Sequence, residues 1–333
     1  MKNQIQTLPI IKLRNISYPE KSITLFISTF SNFQLSEIFS LRNTYPNTNI
    51  DIFINENKLM FLYKNSIEFL SLINIQKINI IFSNRVEEDM LFIDKKISIP
   101  LIYINKMIYL NTGEVIEKTL SYIHISSYNT LKEIFTESDN SYISIVNNLT
   151  VSEINSIIDY IDYSDFQLNS NDILQFSNFN NSTINLIYVL SNIEESLNYN
   201  DLGLLLTESN KNASAYKKYG ENQSKTGELL ELVSISTSVP KTVSLTALGQ
   251  TLLNSDKEEF DNVIFFQTLK CNLIKYLLSL CKFNEQVNVK ELCMSIISEK
   301  TYLRRRSNIK HLVNILKAKH IESLNILLDK LYF

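Results

Sequence analysis

Residues 233–253 read VSISTSVPKTVSLTALGQTLL, and this stretch decides what the second half of the chain folds into. Two short runs rich in β-branched residues flank Pro240, which predicts a two-stranded hairpin with the proline in its turn. In LTALG, at 245–249, the hairpin ends and a helix begins, because the Thr246 hydroxyl can accept an otherwise unpaired backbone N–H. Helical periodicity precedes the hairpin in NLIYVLSNIEESL and ELLELVSI. The pattern therefore predicts helices, a hairpin and a further helix.

This order of elements is that of a winged helix-turn-helix. The stretch SAYKKYGENQSKTGELLELVSI, the hairpin and SLTALGQTLL resemble a winged-helix module of type II restriction enzymes and related bacterial DNA-binding proteins. Further along, SEKTYLRRRSNIKHLVNIL is similar to a second recognition segment of these modules, where Ser or Thr precedes paired arginines and an amphipathic helix. The resemblance covers about residues 195–320. It implies a sequence-specific double-stranded DNA-binding protein of a restriction-modification or phage-defence system.

The arginine segment supplies the first candidate DNA contacts, Arg304, Arg305 and Arg306. Helical spacing places Tyr302, Ile309, Leu312, Val313 and Leu316 on one apolar stripe. The three arginines span most of a turn, so we expect at least two of them to face solvent or a ligand. Helix N-terminal N–H groups favour phosphate, although a solvated helix face is the alternative interpretation. The other candidate DNA-binding residues are Lys310, Lys217, Lys218 and Lys225.

Charge is distributed unevenly along the chain. The net charge is −3, yet residues 1–199 hold 14 Lys and Arg against 21 Asp and Glu, whereas residues 200–333 hold 18 against 14. The excess of positive charge thus lies in the predicted winged helices. It is compatible with phosphate binding but does not by itself indicate it. The overall negative charge also leaves open a protein-interaction scaffold in which the winged helices bind protein.

The first half of the chain alternates strand and helix patterns, which predicts an α/β domain with a mostly parallel sheet. Three further strand candidates, ISIPLIYIN, KMIYLNTGEV and KTLSYIHIS, follow one another without a helix between them. A Ser-, Asn- and Asp-rich stretch at 164–183 suggests the boundary. The predicted domains are 1–184, α/β; 185–258, winged helix-turn-helix; and 259–333, a helical DNA-binding domain or second helix-turn-helix.

The strand order of the first domain is similar to the phospholipase-D-like nuclease domain of some restriction enzymes. In that family an H-x-K strand supplies a nucleophilic His and a phosphate-binding Lys, and a G-S-x-N turn follows the next strand. Here Lys106, Ser127 and Asn129 match, but Ile104 occupies the His position, so no phosphohistidine can form. His124, on a neighbouring strand, is an alternative nucleophile displaced by roughly one strand spacing, about 4.8 Å. The resemblance therefore implies a degenerate domain retained for dimerisation or DNA backbone contact.

A metal-dependent nuclease is the alternative, because an acid on one strand and an acid-x-Lys on the next can hold Mg²⁺. Glu56-Asn57-Lys58 follows Asp51 too closely for two strands to pair. Asp94 and Lys96 form an acid-x-Lys triplet at 94–96, and Asp89 or Asp51 could supply the second acid. The alternative interpretation of this triplet is a solvated strand end. An active type II restriction endonuclease thus remains a candidate function, with Asp94, Lys96 and Lys106 as its first suspects.

No nucleotide- or dinucleotide-binding loop occurs, so we expect no cofactor, or Mg²⁺ if the nuclease alternative holds. The spacing of Cys271, Cys281 and Cys293 predicts buried reduced thiols, and His311 and His320 are too far apart for one metal site, so surface or DNA-proximal histidines are expected. The N-terminus lacks a secretory signal and no run of about 18 apolar residues exists. We expect a cytoplasmic homodimer, with a partner subunit of a defence system as a further possibility and no membrane contact.

Overall fold

The computed structural model describes residues 10–12, 22–28, 32–55, 57–73, 77–82, 89–93, 97–104, 107–111, 142–161, 167–173, 179–193, 196–207 and 212–333. The chain divides into two compact units, Met1–Asn140 and Ser141–Phe333. Strands and helices are numbered in chain order along the described residues.

The N-terminal unit is built on a sheet with two connecting helices, α1 (Asn32–Thr44) and α2 (Lys58–Ile73). The strands are β1 Ile10–Lys12, β2 Ser22–Ile27, β3 Asn49–Ile54, β4 Ile78–Phe82, β5 Met90–Ile93, β6 Ile97–Ile104 and β7 Met107–Asn111. Across the described part of the sheet their order is β1-β7-β6-β5-β2-β3-β4. The α/β class predicted for this half is confirmed.

The prediction of a mostly parallel sheet is wrong, because only three of the described strands pair in parallel. β2, β3 and β4 pair in parallel because α1 and α2 carry the chain back across the sheet. The pairings β2–β5, β5–β6, β6–β7 and β1–β7 are antiparallel. Only residues 94–96 separate β5 from β6, and only 105 and 106 separate β6 from β7. Such connections are far too short for a parallel crossover, which needs a dozen or more residues.

The parallel strands form the core of this unit. In β2, Ile23, Leu25 and Ile27 are buried, and five consecutive residues of β3 are buried as well. Strands buried on both faces read as continuous apolar runs, which is why the runs at 22–28, 49–55 and 77–84 predicted their positions.

The C-terminal unit begins earlier than the predicted boundary near residue 185. Its first helices are α3 (Tyr142–Asn147) and α4 (Val151–Tyr160). Tyr142 is fully buried, and its hydroxyl accepts a hydrogen bond of 2.6 Å from Gln267 Nε2. Lys282 Nζ donates to the Ile161 carbonyl oxygen at 2.7 Å. Side chains from distant parts of the sequence therefore complete the core around 142–161. The boundary predicted from the composition of residues 164–183 could not account for such contacts.

The middle of this unit is a compact alternation of helices and short strands. α5 and β8 come first, followed by two consecutive helices and a hairpin. The elements are α5 Phe179–Ser191, β8 Leu197–Asn198, α6 Tyr199–Leu205, α7 Ala213–Leu229, β9 Val233–Ile235, β10 Thr242–Leu245 and α8 Ala247–Thr251. The three strands pair antiparallel in the order β8-β10-β9. Leu186, Leu190, Leu202, Val233 and Val243 form the shared core of the helices and the sheet.

The last part of the unit is mostly helical, as predicted. Its elements are α9 Lys257–Lys270, α10 Asn272–Phe283, β11 Val287–Asn288, α11 Val289–Met294, α12 Glu299–Lys317, α13 Glu322–Leu328 and β12 Leu331–Tyr332. β11 and β12 pair in parallel. In the described part of the chain, no single helix has the length and apolar composition of a membrane span; α9 and α10, bent at 68°, meet those criteria only as a pair.

Candidate functional site

Helices α6 and α7 meet backbone to backbone at two glycines. A Cβ on Gly203 would lie 1.9 Å from the Tyr216 carbonyl oxygen, and a Cβ on Gly220 would lie 2.0 Å from the Tyr199 carbonyl oxygen. No side chain fits at either position unless a helix moves. The sequence signal for this crossing is the concentration of four of the five glycines between 203 and 249, but it does not reveal which backbone each glycine meets.

The predicted hairpin and its helix cap are both present. β9 and β10 pair across a turn that contains Pro240. Thr246 Oγ1 accepts a hydrogen bond from Gly249 N at 3.1 Å, which confirms the predicted cap of α8, and it donates to the Glu231 carbonyl oxygen at 2.6 Å. A Cβ on Gly249 would lie 2.2 Å from the Leu232 carbonyl oxygen. The LTALG segment thus locks α8 against the loop that leaves α7.

The three predicted lysines of α7 differ in their surroundings. Lys217 and Lys218 are exposed in the first turns of the helix. Lys225 Nζ lies 2.6 Å from Glu221 Oε1. The Lys225 hydrogen bond, and then the charges of Lys225, Lys218 and Lys217, lower the pKa of Glu221 against the opposing effect of desolvation. Lys225 therefore neutralises an acid of its own helix, while Lys217 and Lys218 present charge to solvent.

A second arrangement of strand, short helix and long helix repeats the first. Asn198 ends β8 and caps α6 with its side chain, and Asn288 ends β11 and caps α11 in the same way. The long helices also begin at side-chain caps, Asn212 for α7 and Ser298 for α12. Each is therefore a short helix followed by a long helix, entered from a two-residue strand.

Positions at the same distance from these caps carry different residues in the two pairs. Gly203 and Cys293 each lie five residues after the cap of the short helix. Gly220 and Arg306 each lie eight residues after the cap of the long helix. In the second pair, burial raises the pKa of Tyr302, and the charge of Arg306 opposes this shift. No glycine stands at either of these positions in the second pair.

The arginine triplet is divided between surface and interior, contrary to the expectation that at least two arginines face outward. Of the three, only Arg304 is exposed. Arg305 Nη1 donates to the Ser170 carbonyl oxygen at 3.0 Å and also to the Ile173 carbonyl oxygen. Burial, and then the neighbouring charge of Arg304, lowers the pKa of Arg305. Arg305 therefore fastens the segment 167–173 to α12.

Arg306 and Lys310 both meet Phe333. Arg306 Nη2 donates to the Phe333 oxygen at 3.1 Å, and Lys310 Nζ lies 5.1 Å from the centre of the Phe333 ring. Lys310 nevertheless remains exposed. The guanidinium of Arg306 is thus occupied within the chain, whereas the Lys310 ammonium stays accessible above the ring.

The two faces of α12 have opposite character. The predicted apolar stripe is confirmed, since Tyr302, Ile309, Leu312, Val313 and Leu316 are all buried. Besides Glu299 in the first turn, the exposed side chains of α12 are basic, polar or, once, apolar. In chain order they are Lys300, Leu303, Arg304, Ser307, Lys310 and Asn314. Glu299, at the start of the helix, pairs with Lys290 at 2.6 Å. The outer face of α12 is therefore net positive.

Most of the predicted nuclease residues lie outside the described residues. They are Lys106, His124, Asn129, Asp94 and Lys96. β6 ends at Ile104, the residue in the place of the family's His, and β7 begins at Met107. Within the described ranges, no group of three or more His, Cys, Asp or Glu side chains could hold a metal ion.

The acids proposed as partners of Asp94 lie far apart. Asp51 stands opposite Thr24 in the sheet and accepts a hydrogen bond of 2.7 Å from Asn79 Nδ2. The Asp89 carboxylate accepts a hydrogen bond from the backbone N–H of Ser28. Because Thr24 and Ser28 are four residues apart along β2, the two carboxylates are separated by about 13 Å along the strand direction. They do not share one cation.

The cysteines and one histidine are internal. Cys271, Cys281 and Cys293 are free and buried, as predicted, and burial raises the pKa of the first to about 12 and of the other two to about 11. His311 is half-buried, it lines a cavity, and burial lowers its pKa. Its proximity to DNA stays a prediction. His320 is exposed.

Comparisons of the chain with protein-family models, with curated proteins and with solved structures find no match. The chemistry available to the C-terminal unit follows from its own geometry. Two helix pairs each begin their long helix with an exposed cation on a scaffold of buried apolar side chains. These exposed cations can contact an anion.

Proposed function

We propose that the C-terminal unit binds double-stranded DNA, with α5–α8 as a winged helix and α10–α12 as a second helix-turn-helix. One observation carries this proposal: a short and a long helix cross in close contact after a two-residue strand, and an antiparallel hairpin follows them. In winged helix-turn-helix proteins the second helix of such a pair enters the major groove. That role falls to α7 here, and to α12 in the repeat.

The two long helices support the proposal with cations at equivalent positions. Lys218 lies six residues after the cap Asn212, and Arg304 lies six residues after the cap Ser298. Both side chains are exposed. Recognition helices contact base edges with residues near their N-termini. Arg304 can bind guanine or phosphate with two parallel hydrogen bonds, whereas Lys218 supplies a point charge for phosphate.

The remaining cations extend the proposed contact. Lys217 adjoins Lys218, and Lys300 and Lys310 flank Arg304 on the exposed face of α12. Lys241 is exposed beside the hairpin turn, next to Val239, which is 92% exposed at the Val239–Pro240 tip. Binding that releases counterions from phosphates is weakened by salt, so a contact built from these side chains should be strongly salt-dependent.

The resemblance of residues 195–320 to modules of restriction enzymes extends the proposal to a restriction-modification or phage-defence system. We further propose that the N-terminal α/β unit is a degenerate phospholipase-D-like domain and that the protein acts as a homodimer. Ile104 in place of a nucleophilic His supports the loss of activity. The active endonuclease remains the second candidate because Lys106 matches the phosphate-binding Lys of that family.

Fluorescence anisotropy of a labelled duplex tests DNA binding. We expect binding whose affinity falls steeply between low and moderate salt, and we expect Lys218→Ala and Arg304→Ala each to weaken it by about 1 kcal/mol or more. Lys257→Ala, at an exposed lysine of α9 outside both long helices, is the matched control and should retain the wild-type affinity. No anisotropy change at low salt and micromolar protein would contradict the proposal and favour a protein-binding scaffold.

Incubation of the full chain with plasmid or phage DNA distinguishes a binder from a nuclease. With a degenerate N-terminal unit, the DNA stays intact both with Mg²⁺ and with chelator. Cleavage that requires Mg²⁺ would support the metal-dependent site around Asp94 and Lys96. Cleavage in chelator that is lost in Lys106→Ala would instead show a metal-free mechanism.

A further inference from the structure

The two long helices of the C-terminal unit present different side chains at matching positions of their outer faces. These positions lie two, five, six, nine and sixteen residues after the caps, Asn212 for α7 and Ser298 for α12. At 3.6 residues per turn they share one arc of about 100°. In α7 they carry Ser214, Lys217, Lys218, Glu221 and Glu228, and in α12 they carry Lys300, Leu303, Arg304, Ser307 and Asn314.

The outer face of α7 is charged along most of its length. Its middle position is Glu221, and Lys225 Nζ lies 2.6 Å from Glu221 Oε1. This ion pair places two long side chains where a base edge would approach the helix, and Glu228 adds a second exposed acid further along. A carboxylate repels the acceptor atoms O6 and N7 of guanine. Lys217 and Lys218, at the start of the face, can contact phosphate as point charges.

The outer face of α12 carries groups that distinguish bases. Ser307 occupies the position that Glu221 has in α7, so a small side chain lets the middle of this helix approach a groove closely. The guanidinium of Arg304 has a planar fork of donors that matches guanine O6 and N7. Leu303 is 59% exposed on this otherwise polar face. An apolar side chain in the major groove can contact the methyl group of thymine.

Internal contacts hold α12 in place behind these side chains. Arg305 donates to the Ser170 carbonyl oxygen at 3.0 Å, and Arg306 donates to the Phe333 oxygen at 3.1 Å. The apolar stripe on the opposite face is buried. Side chains on a helix that is fixed by packing can be positioned against a ligand more precisely than side chains on a loop. Of the arginine triplet, Arg304 is the member that is exposed to a base.

We propose that α12 reads the DNA sequence and that α7 binds the phosphate backbone. Arg304 is assigned to O6 and N7 of a guanine. Leu303 is assigned to the methyl group of a thymine in a neighbouring base pair, because the two residues are adjacent on the helix. This inference rests on the proposed DNA binding and adds that the second helix pair, rather than the winged helix, supplies the sequence specificity.

Selection of bound duplexes from a random pool by the full chain, followed by substitution of single bases, tests the assignment. We expect a motif with a guanine beside a thymine. Replacing that guanine by 7-deazaguanine removes N7 and should weaken wild-type binding about tenfold. Replacing that thymine by uracil removes only the methyl group and should weaken it about fourfold. Arg304→Lys keeps the charge but loses the fork, so it should bind the guanine and 7-deazaguanine duplexes equally, and Leu303→Ala should bind the thymine and uracil duplexes equally.

The matched control combines Lys217→Ala with Lys218→Ala, at the α7 positions equivalent to Leu303 and Arg304. It should weaken all duplexes alike and lower the slope of log affinity against log salt by about two, while keeping the selected motif. Circular dichroism establishes that each variant is folded, and the base substitutions on the wild-type chain need no variant.

Two results would overturn the inference while DNA binding itself stands. One is salt-dependent binding without any selected motif. The other is a motif that changes in the double lysine variant and persists in Arg304→Lys and Leu303→Ala. Absence of binding to every duplex would instead contradict the proposed function, and the inference with it.

Discussion

The two helix pairs of the C-terminal unit have the same caps and are held together by different means. In α6–α7, Gly203 and Gly220 let the backbones touch, and α7 then runs directly into the hairpin. In α11–α12, the equivalent positions carry Cys293, which is buried, and Arg306, which donates to the Phe333 oxygen. The same arrangement can therefore be stabilised by the absence of side chains or by long side chains that reach other segments.

This difference explains why a triplet of arginines presents only one of its members to solvent. In the first pair Lys217 and Lys218 are exposed, whereas Lys225 pairs with Glu221. The second pair has no glycine at its crossing, and Arg305 and Arg306 instead reach backbone oxygens of 167–173 and of Phe333. Adjacent arginines on one helix thus differ in their surroundings according to the groups within their reach.

The largest effect is expected at the glycine crossing. Gly203→Ala places a methyl group 1.9 Å from the Tyr216 carbonyl oxygen, so the free energy of unfolding of the C-terminal unit should fall by about 3 kcal/mol or more. Cys293→Ala, at the equivalent position of the second pair, removes only a buried sulfur and should cost about 1 kcal/mol. Urea unfolding followed by circular dichroism measures both. Equal losses in the two variants would contradict the distinction between backbone and side-chain crossings.

Local patterns in the sequence predict much of what is observed. The β-branched runs gave β2, β3 and β4, the hairpin followed from Pro240, and the Thr246 cap followed from LTALG, because neighbours in sequence determine each of these features. The direction of pairing in the rest of the sheet depended on connection length, which the alternation of strand and helix patterns does not convey.

What could not be predicted depends on contacts between distant residues. Arg305 meets Ser170 across 135 positions, and Gln267 meets Tyr142 across 125. Neither contact has a periodic signal in the chain, so the role of Arg305 and the membership of 142–161 in the C-terminal unit emerge only in three dimensions. Of the predicted DNA-binding residues, Arg304, Lys217, Lys218 and Lys310 are exposed, but the internal contacts of Arg305 and Arg306 could not be predicted.

A smaller effect separates the members of the triplet. Arg305→Ala removes two hydrogen bonds from a charged donor to backbone carbonyls, so we expect a loss of about 2 kcal/mol in the free energy of unfolding. Arg304→Ala changes an exposed side chain and should alter stability by less than about 0.5 kcal/mol. Thermal and urea unfolding of the two variants provide the measurement. Similar stability in both would mean that the contacts of Arg305 with 167–173 contribute nothing to folding.

The smallest expected effect on stability concerns the position thirteen residues after the cap of each long helix. There α7 has Lys225 and α12 has His311. Lys225 pairs with Glu221, whereas burial beside the cavity lowers the pKa of His311 below its ordinary value of 6.5. As the pH falls below 6.5, the unfolded chain takes up a proton at this residue while the folded chain does not, so this contribution to stability decreases until the folded pKa is reached. His311→Gln removes that linkage, and its melting temperature should therefore decline less than that of the wild type between pH 7 and pH 5. Parallel declines in the two proteins would contradict a desolvated imidazole at this position.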